Sequence, residues 1–96
     1  VRGLLRARRV RTDRLVGARV EGRTARRVVL LDAAGHRVEL DAHLLAENPL
    51  LRHELDRGVR RSLAAGLLAD ASAVRALVAA ADAEEARELL QDAGLD

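Results

Sequence analysis

Six arginines in the first fourteen residues are the side chains best placed to bind a ligand. Asp13 is the only acidic residue among them. Guanidinium groups pair well with phosphates and carboxylates, and each basic residue next to an anionic lipid leaflet contributes ~1 kcal/mol to membrane association. The segment therefore predicts contact with an anionic surface, or else a solvated arm. The six residues are Arg2, Arg6, Arg8, Arg9, Arg11 and Arg14.

The charge of the chain is strongly divided between its two parts. Residues 1–27 contain ten arginines and two acidic residues, a net charge of +8. Residues 28–96 contain seven arginines and thirteen acidic residues, a net charge of −6. A basic segment ahead of an acidic body indicates contact with an anionic partner, such as a membrane surface, or with the acidic half of the same chain.

Other side chains lack the spacing that catalysis or metal binding requires. His43 and Glu47 are four residues apart and His53 follows, but this matches no pattern of zinc ligands, so we expect surface histidines. Ser62 and Ser72 are the only serines, and neither lies in a Gly-x-Ser-x-Gly turn. Cysteine, a phosphate-binding loop and a dinucleotide fingerprint are absent from the sequence. The sequence predicts a protein that is not an enzyme and has no cofactor or metal.

A small DNA-binding protein is the first alternative. Residues 63–82 are predicted to form two helical pieces around Gly66, as in a helix-turn-helix. The second piece has only Arg75 as a basic residue, whereas a recognition helix needs more basic and polar side chains. The chain has no Phe, Trp or Tyr on which the bases of a single strand could stack. These features favour a helical hairpin that packs on a sheet.

A protein partner is the second alternative. A module of the toxin–antitoxin type would use its partner to cover an exposed sheet edge. The alanine-rich stretch at residues 76–81 permits close helix packing, so a homodimer also stays open.

Three short segments read as the strands of an antiparallel meander. They cover residues 14–20, 26–31 and 36–40. The last alternates cleanly, with Val38 and Leu40 on one face. Gly35 allows the turn before it.

Helices follow the strands. Asp41 is a candidate N-cap for a short helical turn, and Asn48 with Pro49 predicts the start of a helix that runs to about Ala65. Asp70 or Ser72 is expected to cap the next helix. The apolar stripe of the first long helix comprises Leu51, Leu55, Val59 and Leu63.

The end of the chain predicts a last helix at about residues 83–92. Asp82 and Glu85 have the spacing of a capping box at its start. This helix and the one before it could also form a single helix. The residues expected to face inward are Val74, Leu77, Val78, Leu89 and Leu90. The fold class is α+β, with a three-stranded antiparallel meander and three helices packed on one face. We expect residues 1–11 to be a basic, juxtamembrane-like arm and residues 12–96 to be one small domain.

Four segments carry a resemblance to a known family. They are RTDRLV (11–16), RRVVLLDAAGHRVELD (26–41), LLAENPLL (44–51) and LLADASAVRAL (67–77). In this order they resemble the cytosolic part of a family of actinobacterial integral membrane proteins of unknown function. The hairpin and the Asn-Pro helix start also resemble the later part of bacterial pleckstrin-homology-like modules.

The resemblance implies transmembrane helices ahead of Val1 and a domain on the cytoplasmic face of the cell membrane. It implies an interaction or regulatory role, with the membrane surface or those transmembrane helices as partners. Members of the family often have Trp where this chain has Val20 and Leu51, and Cys near Ala69. A role of those aromatic residues in partner binding is therefore in doubt for this chain.

Overall fold

The computed structural model describes residues 11–94 and confirms the α+β fold. After a single 3-10 turn, three strands are followed by three helices. The turn is Thr12–Arg14, the strands are β1 (Leu15–Glu21), β2 (Arg27–Asp32) and β3 (Arg37–Asp41), and the helices are α1 (Ala42–Glu47), α2 (Pro49–Ala64) and α3 (Ser72–Asp92).

The sheet is an antiparallel meander in the order β1-β2-β3. Leu30 pairs with Val38 and Val28 with Leu40, and all four side chains are buried. Arg37 and Glu39 lie on the opposite face and are exposed, which confirms the predicted alternation in β3. The register of β1 shifts between Leu15 and Gly17. One face of the sheet thus packs on the helices, and the other, apart from the buried Val29, faces solvent.

The core contains only leucine, valine and alanine. The predicted stripe of α2 is buried at its first three positions, and Leu63 packs partly against the core. Val74 and Val78 supply the buried face of α3. Full burial of each leucine or valine stabilises the fold by about 1.5–3 kcal/mol.

The starts of α1 and α2 have the predicted positions, but only α1 has a side-chain cap. Asp41 caps α1, because its Oδ1 accepts a hydrogen bond of 2.8 Å from the His43 amide. Asn48 does not cap α2: its Nδ2 donates to the Leu44 carbonyl at 2.7 Å. The side-chain amide of Asn48 therefore caps the end of α1 instead of the start of α2. At the start of α3 the N-cap position is Ala71, which has no side-chain cap, and not Asp70 or Ser72 as expected. Asp70 accepts a hydrogen bond from the Ser72 amide at 2.9 Å.

The sequence allows the last two helical segments to be separate or to form one helix, and the structure has them as the single continuous helix α3. Asp82 and Glu85 form no capping box; both carboxylates bind Arg52 of α2. Leu89 and Leu90 were expected to face inward, but they are 64% and 48% exposed. Every residue from 86 to 94 is exposed, since the last turns of α3 extend past the start of α2 and find no core beneath them.

Candidate functional site

The Thr12–Arg14 turn is held on α2 by a buried serine. The Ser62 Oγ accepts a hydrogen bond of 2.9 Å from the Leu15 amide. It lies 3.0 Å from the Thr12 carbonyl oxygen and 2.9 Å from that of Gly58, and its single hydroxyl proton can serve one of them at a time. Ser62 is therefore a structural residue that fixes the end of the basic arm to the helix.

Gly58 allows this turn to approach α2 closely. A Cβ atom at position 58 would lie 2.4 Å from the Thr12 Cβ and 2.5 Å from the Thr12 carbonyl oxygen. No side chain fits at such distances. A glycine inside a predicted helix is unusual because it weakens the helix, and here its purpose is the contact with Thr12.

Asp32 ties the same turn to the β2–β3 hairpin. Its buried carboxylate accepts hydrogen bonds from the amides of Arg11 (3.1 Å), Ala34 (3.0 Å) and His36 (2.9 Å). It also lies 3.1 Å from Nδ1 of the His36 ring. Burial alone raises the pKa of Asp32, but the hydrogen bonds from Arg11 and His36 outweigh it and bring the pKa to about 2.

This pKa predicts how the stability of the domain depends on pH. The folded pKa of Asp32 lies below the value of 3.8 that applies when the chain is unfolded. The stabilisation by the ionised carboxylate is therefore complete above pH ~4 and is lost as the pH falls towards ~2. We expect Asp32→Asn to lower the urea midpoint at neutral pH. The difference in midpoint between this variant and the natural chain is expected to shrink as the pH falls from ~4 to ~2. Asp92→Asn, at an exposed position, is the control. A difference that stays constant down to the lowest pH would contradict the prediction.

A cleft of about 340 Å³ lies between the turn and α2. Arg11 from the turn and Arg57 and Arg61 from α2 line it, together with Asp13 and Glu54. Its apolar lining consists of core leucines, namely Leu30, Leu40, Leu51 and Leu55.

The arginines of the cleft differ in their pairing. Arg11 binds Asp13 through Nε and Nη2, both at 3.3 Å, and the guanidinium lowers the pKa of that carboxyl group. Arg57 and Arg61 are exposed, and neither forms an ion pair within residues 11–94. The cleft thus offers two uncompensated guanidinium groups, four residues apart on one face of α2.

Part of the predicted arginine cluster is located by the structure. Arg11 and Arg14 are exposed at the turn. Arg57 and Arg61 were not predicted as site residues, although their spacing on a predicted helix is a signal that could have identified them. The predictions for Arg2, Arg6, Arg8 and Arg9 lie outside the described residues.

Arg52 is a third arginine whose role was not predicted from the sequence. It is 1% exposed, and its guanidinium binds two carboxylates and two carbonyls. Nε donates to Asp82 at 2.8 Å and Nη2 to Glu85 at 2.9 Å. Nη1 donates to the carbonyls of Leu45 at 3.0 Å and Ala46 at 2.7 Å. The side chain joins the end of α1 and the middle of α3 to α2.

Neither His43 and His53 nor the solvent-facing side of the sheet forms a second candidate binding site within residues 11–94. His43 Nε2 lies 2.9 Å from Glu47 Oε1 at the surface, and His53 is exposed. In the part of the chain that the structure describes, no three His, Cys, Asp or Glu side chains lie together as metal ligands. The exposed sheet face has an ion-pair ladder formed by Arg19, Glu21, Arg27, Arg37 and Glu39.

The candidate site is thus a basic cleft beside the root of the arm. None of the helices within residues 11–94 is both long and apolar enough to cross a bilayer. Comparison of the chain with protein-family models, with curated proteins and with solved structures found no match.

Proposed function

We propose that this chain is a non-enzymatic interaction domain that docks on the cytoplasmic face of a membrane through its basic arm, residues 1–11. One observation carries the proposal. The amide of Arg11, at the root of the arm, is held by Asp32, and Ser62 holds the turn that follows it on α2. Arg57 and Arg61 of α2 line the same cleft as Arg11. The arm therefore joins the domain at a surface that is itself basic.

The electrostatics of such a surface favour an anionic leaflet. Each basic residue near the leaflet contributes ~1 kcal/mol, and the attraction extends over a Debye length of ~10 Å at 0.1 M salt. Four further arginines precede Arg11 in the arm. Together with those of the cleft they provide enough charge for reversible binding that weakens as salt increases.

The environment of the buried polar side chains supports a role without catalysis. Asp32, Arg52 and Ser62 are the buried polar or charged residues of the described chain, and each is bonded to partners within the fold. These groups stabilise the structure. Among the exposed side chains, the unpaired arginines of the cleft suit the binding of an anion.

Sedimentation with vesicles tests the proposal. The 96-residue chain is expected to sediment with vesicles of phosphatidylcholine and phosphatidylglycerol, and to stay in solution with phosphatidylcholine alone. Changing Arg2, Arg6, Arg8 and Arg9 to Gln is expected to lower the partition coefficient more than about a hundredfold, because four contributions of ~1 kcal/mol are lost.

The matched control removes the same charge elsewhere. Arg23, Arg26, Arg75 and Arg87 are exposed, and changing all four to Gln is expected to lower partitioning about tenfold or less, through the change in net charge alone. Equal losses in both variants would exclude the arm as the contact. Tight binding to duplex DNA with a steep salt dependence, but none to anionic vesicles, would instead favour the DNA-binding alternative.

A further inference from the structure

We propose that the cleft between the Thr12–Arg14 turn and α2 binds the headgroup of one anionic phospholipid. This inference rests on the proposed function, since it names what the basic surface holds at the membrane. It adds a defined site on the folded domain to the diffuse attraction of the arm.

The charges at the cleft favour a phosphate group. Arg57 and Arg61 both line it, and neither has a carboxylate partner within residues 11–94. A guanidinium presents paired N–H donors that match the oxygens of a phosphate. Asp13 is already bonded to Arg11, so its charge is largely compensated. Glu54 is the remaining carboxylate of the lining, and with two unpaired arginines the cleft keeps a positive balance.

The apolar part of the cleft favours a lipid over a free anion. Leu30, Leu40, Leu51 and Leu55 line it beneath the arginines, and Leu51 is the most exposed of them at 6%. Because these leucines are almost fully buried, a glycerol unit would contact mainly the edge of Leu51 and the aliphatic stems of Arg57 and Arg61, while the phosphate stays with the guanidinium groups. Inorganic phosphate would make only the polar contacts.

The size of the cleft limits the ligand to a headgroup. Its volume of about 340 Å³ lies at the lower end of the ~300–1,000 Å³ that is typical of small-molecule sites. The acyl chains must therefore remain in the bilayer. This geometry brings α2 and the root of the arm to the membrane together.

The walls of the cleft are held in place before any ligand binds. Ser62 fixes the turn on α2, and Asp32 fixes the amide of Arg11. A site that is already ordered loses less entropy on binding than a mobile one. The cleft can therefore discriminate between ligands, which a solvated arm cannot do.

Two paired variants test the site on the full chain. Arg57→Gln with Arg61→Gln removes the two unpaired guanidinium groups, and both positions are exposed, so the fold is expected to persist. Partitioning onto vesicles containing phosphatidylglycerol is expected to fall about 25-fold, at roughly fivefold per arginine. Arg23→Gln with Arg26→Gln, on the β1–β2 turn, is the control with equal charge and is expected to lose less than about threefold. Equal losses in the two variants, or no loss in the first, would overturn the cleft as a site.

A titration followed by NMR separates this proposal from the proposed function. Dihexanoyl phosphatidylglycerol below its micellar concentration is expected to shift the amide signals of Thr12 and Gly58 and the Nε–H signals of Arg57 and Arg61 to saturation. Inorganic phosphate is expected to need at least tenfold higher concentration, and equal potency would overturn the lipid as ligand. Signal shifts without binding to vesicles would contradict the proposed function but would support the cleft as a binding site. Binding to vesicles without signal shifts would contradict the cleft as a binding site but would support the proposed function.

Discussion

Gly58→Ala is expected to destabilise the domain by about 3 kcal/mol. At an ordinary helix position the same change stabilises by up to about 1 kcal/mol, because alanine has the higher helix propensity. Here the new Cβ would meet the Thr12 Cβ at 2.4 Å and the Thr12 carbonyl oxygen at 2.5 Å. One of these is a backbone atom, so relief requires the whole turn to move away from α2. That movement stretches the hydrogen bonds that Ser62 makes with Leu15 and Thr12.

The measurement is the melting temperature of the variant. For a domain of this size a loss of 1 kcal/mol lowers it by about 4–8 °C, so a decrease of more than about 10 °C is expected. Gly17→Ala is the matched control, because a Cβ there would meet the Leu31 Cβ at an ordinary 3.5 Å. Adding Thr12→Gly to Gly58→Ala removes the side-chain clash but leaves the carbonyl, so partial recovery is expected. An unchanged or raised melting temperature of Gly58→Ala would show that the turn does not lie on α2.

Local patterns predicted the sheet and the start of α2 correctly. The alternation around Val38 and Leu40 assigned β3, and Gly35 marked the hairpin turn. Asn48 and Pro49 located the start of α2. These features depend on neighbours within a few residues, and the sequence contains such information directly.

The sequence leaves open whether α3 is interrupted near residue 83, because a local signal there competes with helix propagation. The spacing of Asp82 and Glu85 is that of a capping box, but no glycine or proline interrupts the helix there. Continuing the helix adds a backbone hydrogen bond for each residue. It also keeps both carboxylates on the face that meets Arg52.

Most of the candidate site could not be predicted because its contacts join distant parts of the chain. Thr12 meets Ser62 across a separation of 50 residues, and Arg11 meets Asp32 across 21. The pattern of residues within one segment does not show which distant residue each of them contacts. Besides the spacing of Arg57 and Arg61, the mid-helix Gly58 is a local hint, since a helix keeps such a residue where another backbone comes close.

The burial of Arg52 could not be predicted from the apolar pattern of α2, because that pattern places charged side chains at the surface. Its neighbour Leu51 was assigned inward, and a charged residue next to an apolar stripe normally faces solvent. The partners that allow burial, Asp82 and Glu85, lie 30 and 33 residues further on. Only the packing of α3 against α2 brings them together.

Arg52→Met is expected to destabilise the domain by about 2–4 kcal/mol. The two carboxylates account for little of this, because Asp82 and Glu85 are 60% and 42% exposed and can regain water. The main cost comes from the end of α1, where the carbonyls of Leu45 and Ala46 lose a charged donor. A six-residue helix has little intrinsic stability, so α1 depends on this bond for its position.

The free energy of unfolding from urea titration, with two-state behaviour checked by two probes, measures the loss. Arg60→Met is the matched control, since Arg60 pairs with Asp56 at the surface of the same helix, and a change within about 0.5 kcal/mol is expected. Arg52→Lys keeps the charge but cannot reach both carboxylates and both carbonyls, so its stability should fall between those of Arg52→Met and the natural chain. Asp82→Asn should cost less than about 1 kcal/mol, because an exposed carboxylate is easily replaced by water. If Arg52→Met and Asp82→Asn cost the same, the salt bridge rather than the carbonyl contacts would be the main stabilising interaction, and α1 would not depend on Arg52 for its position.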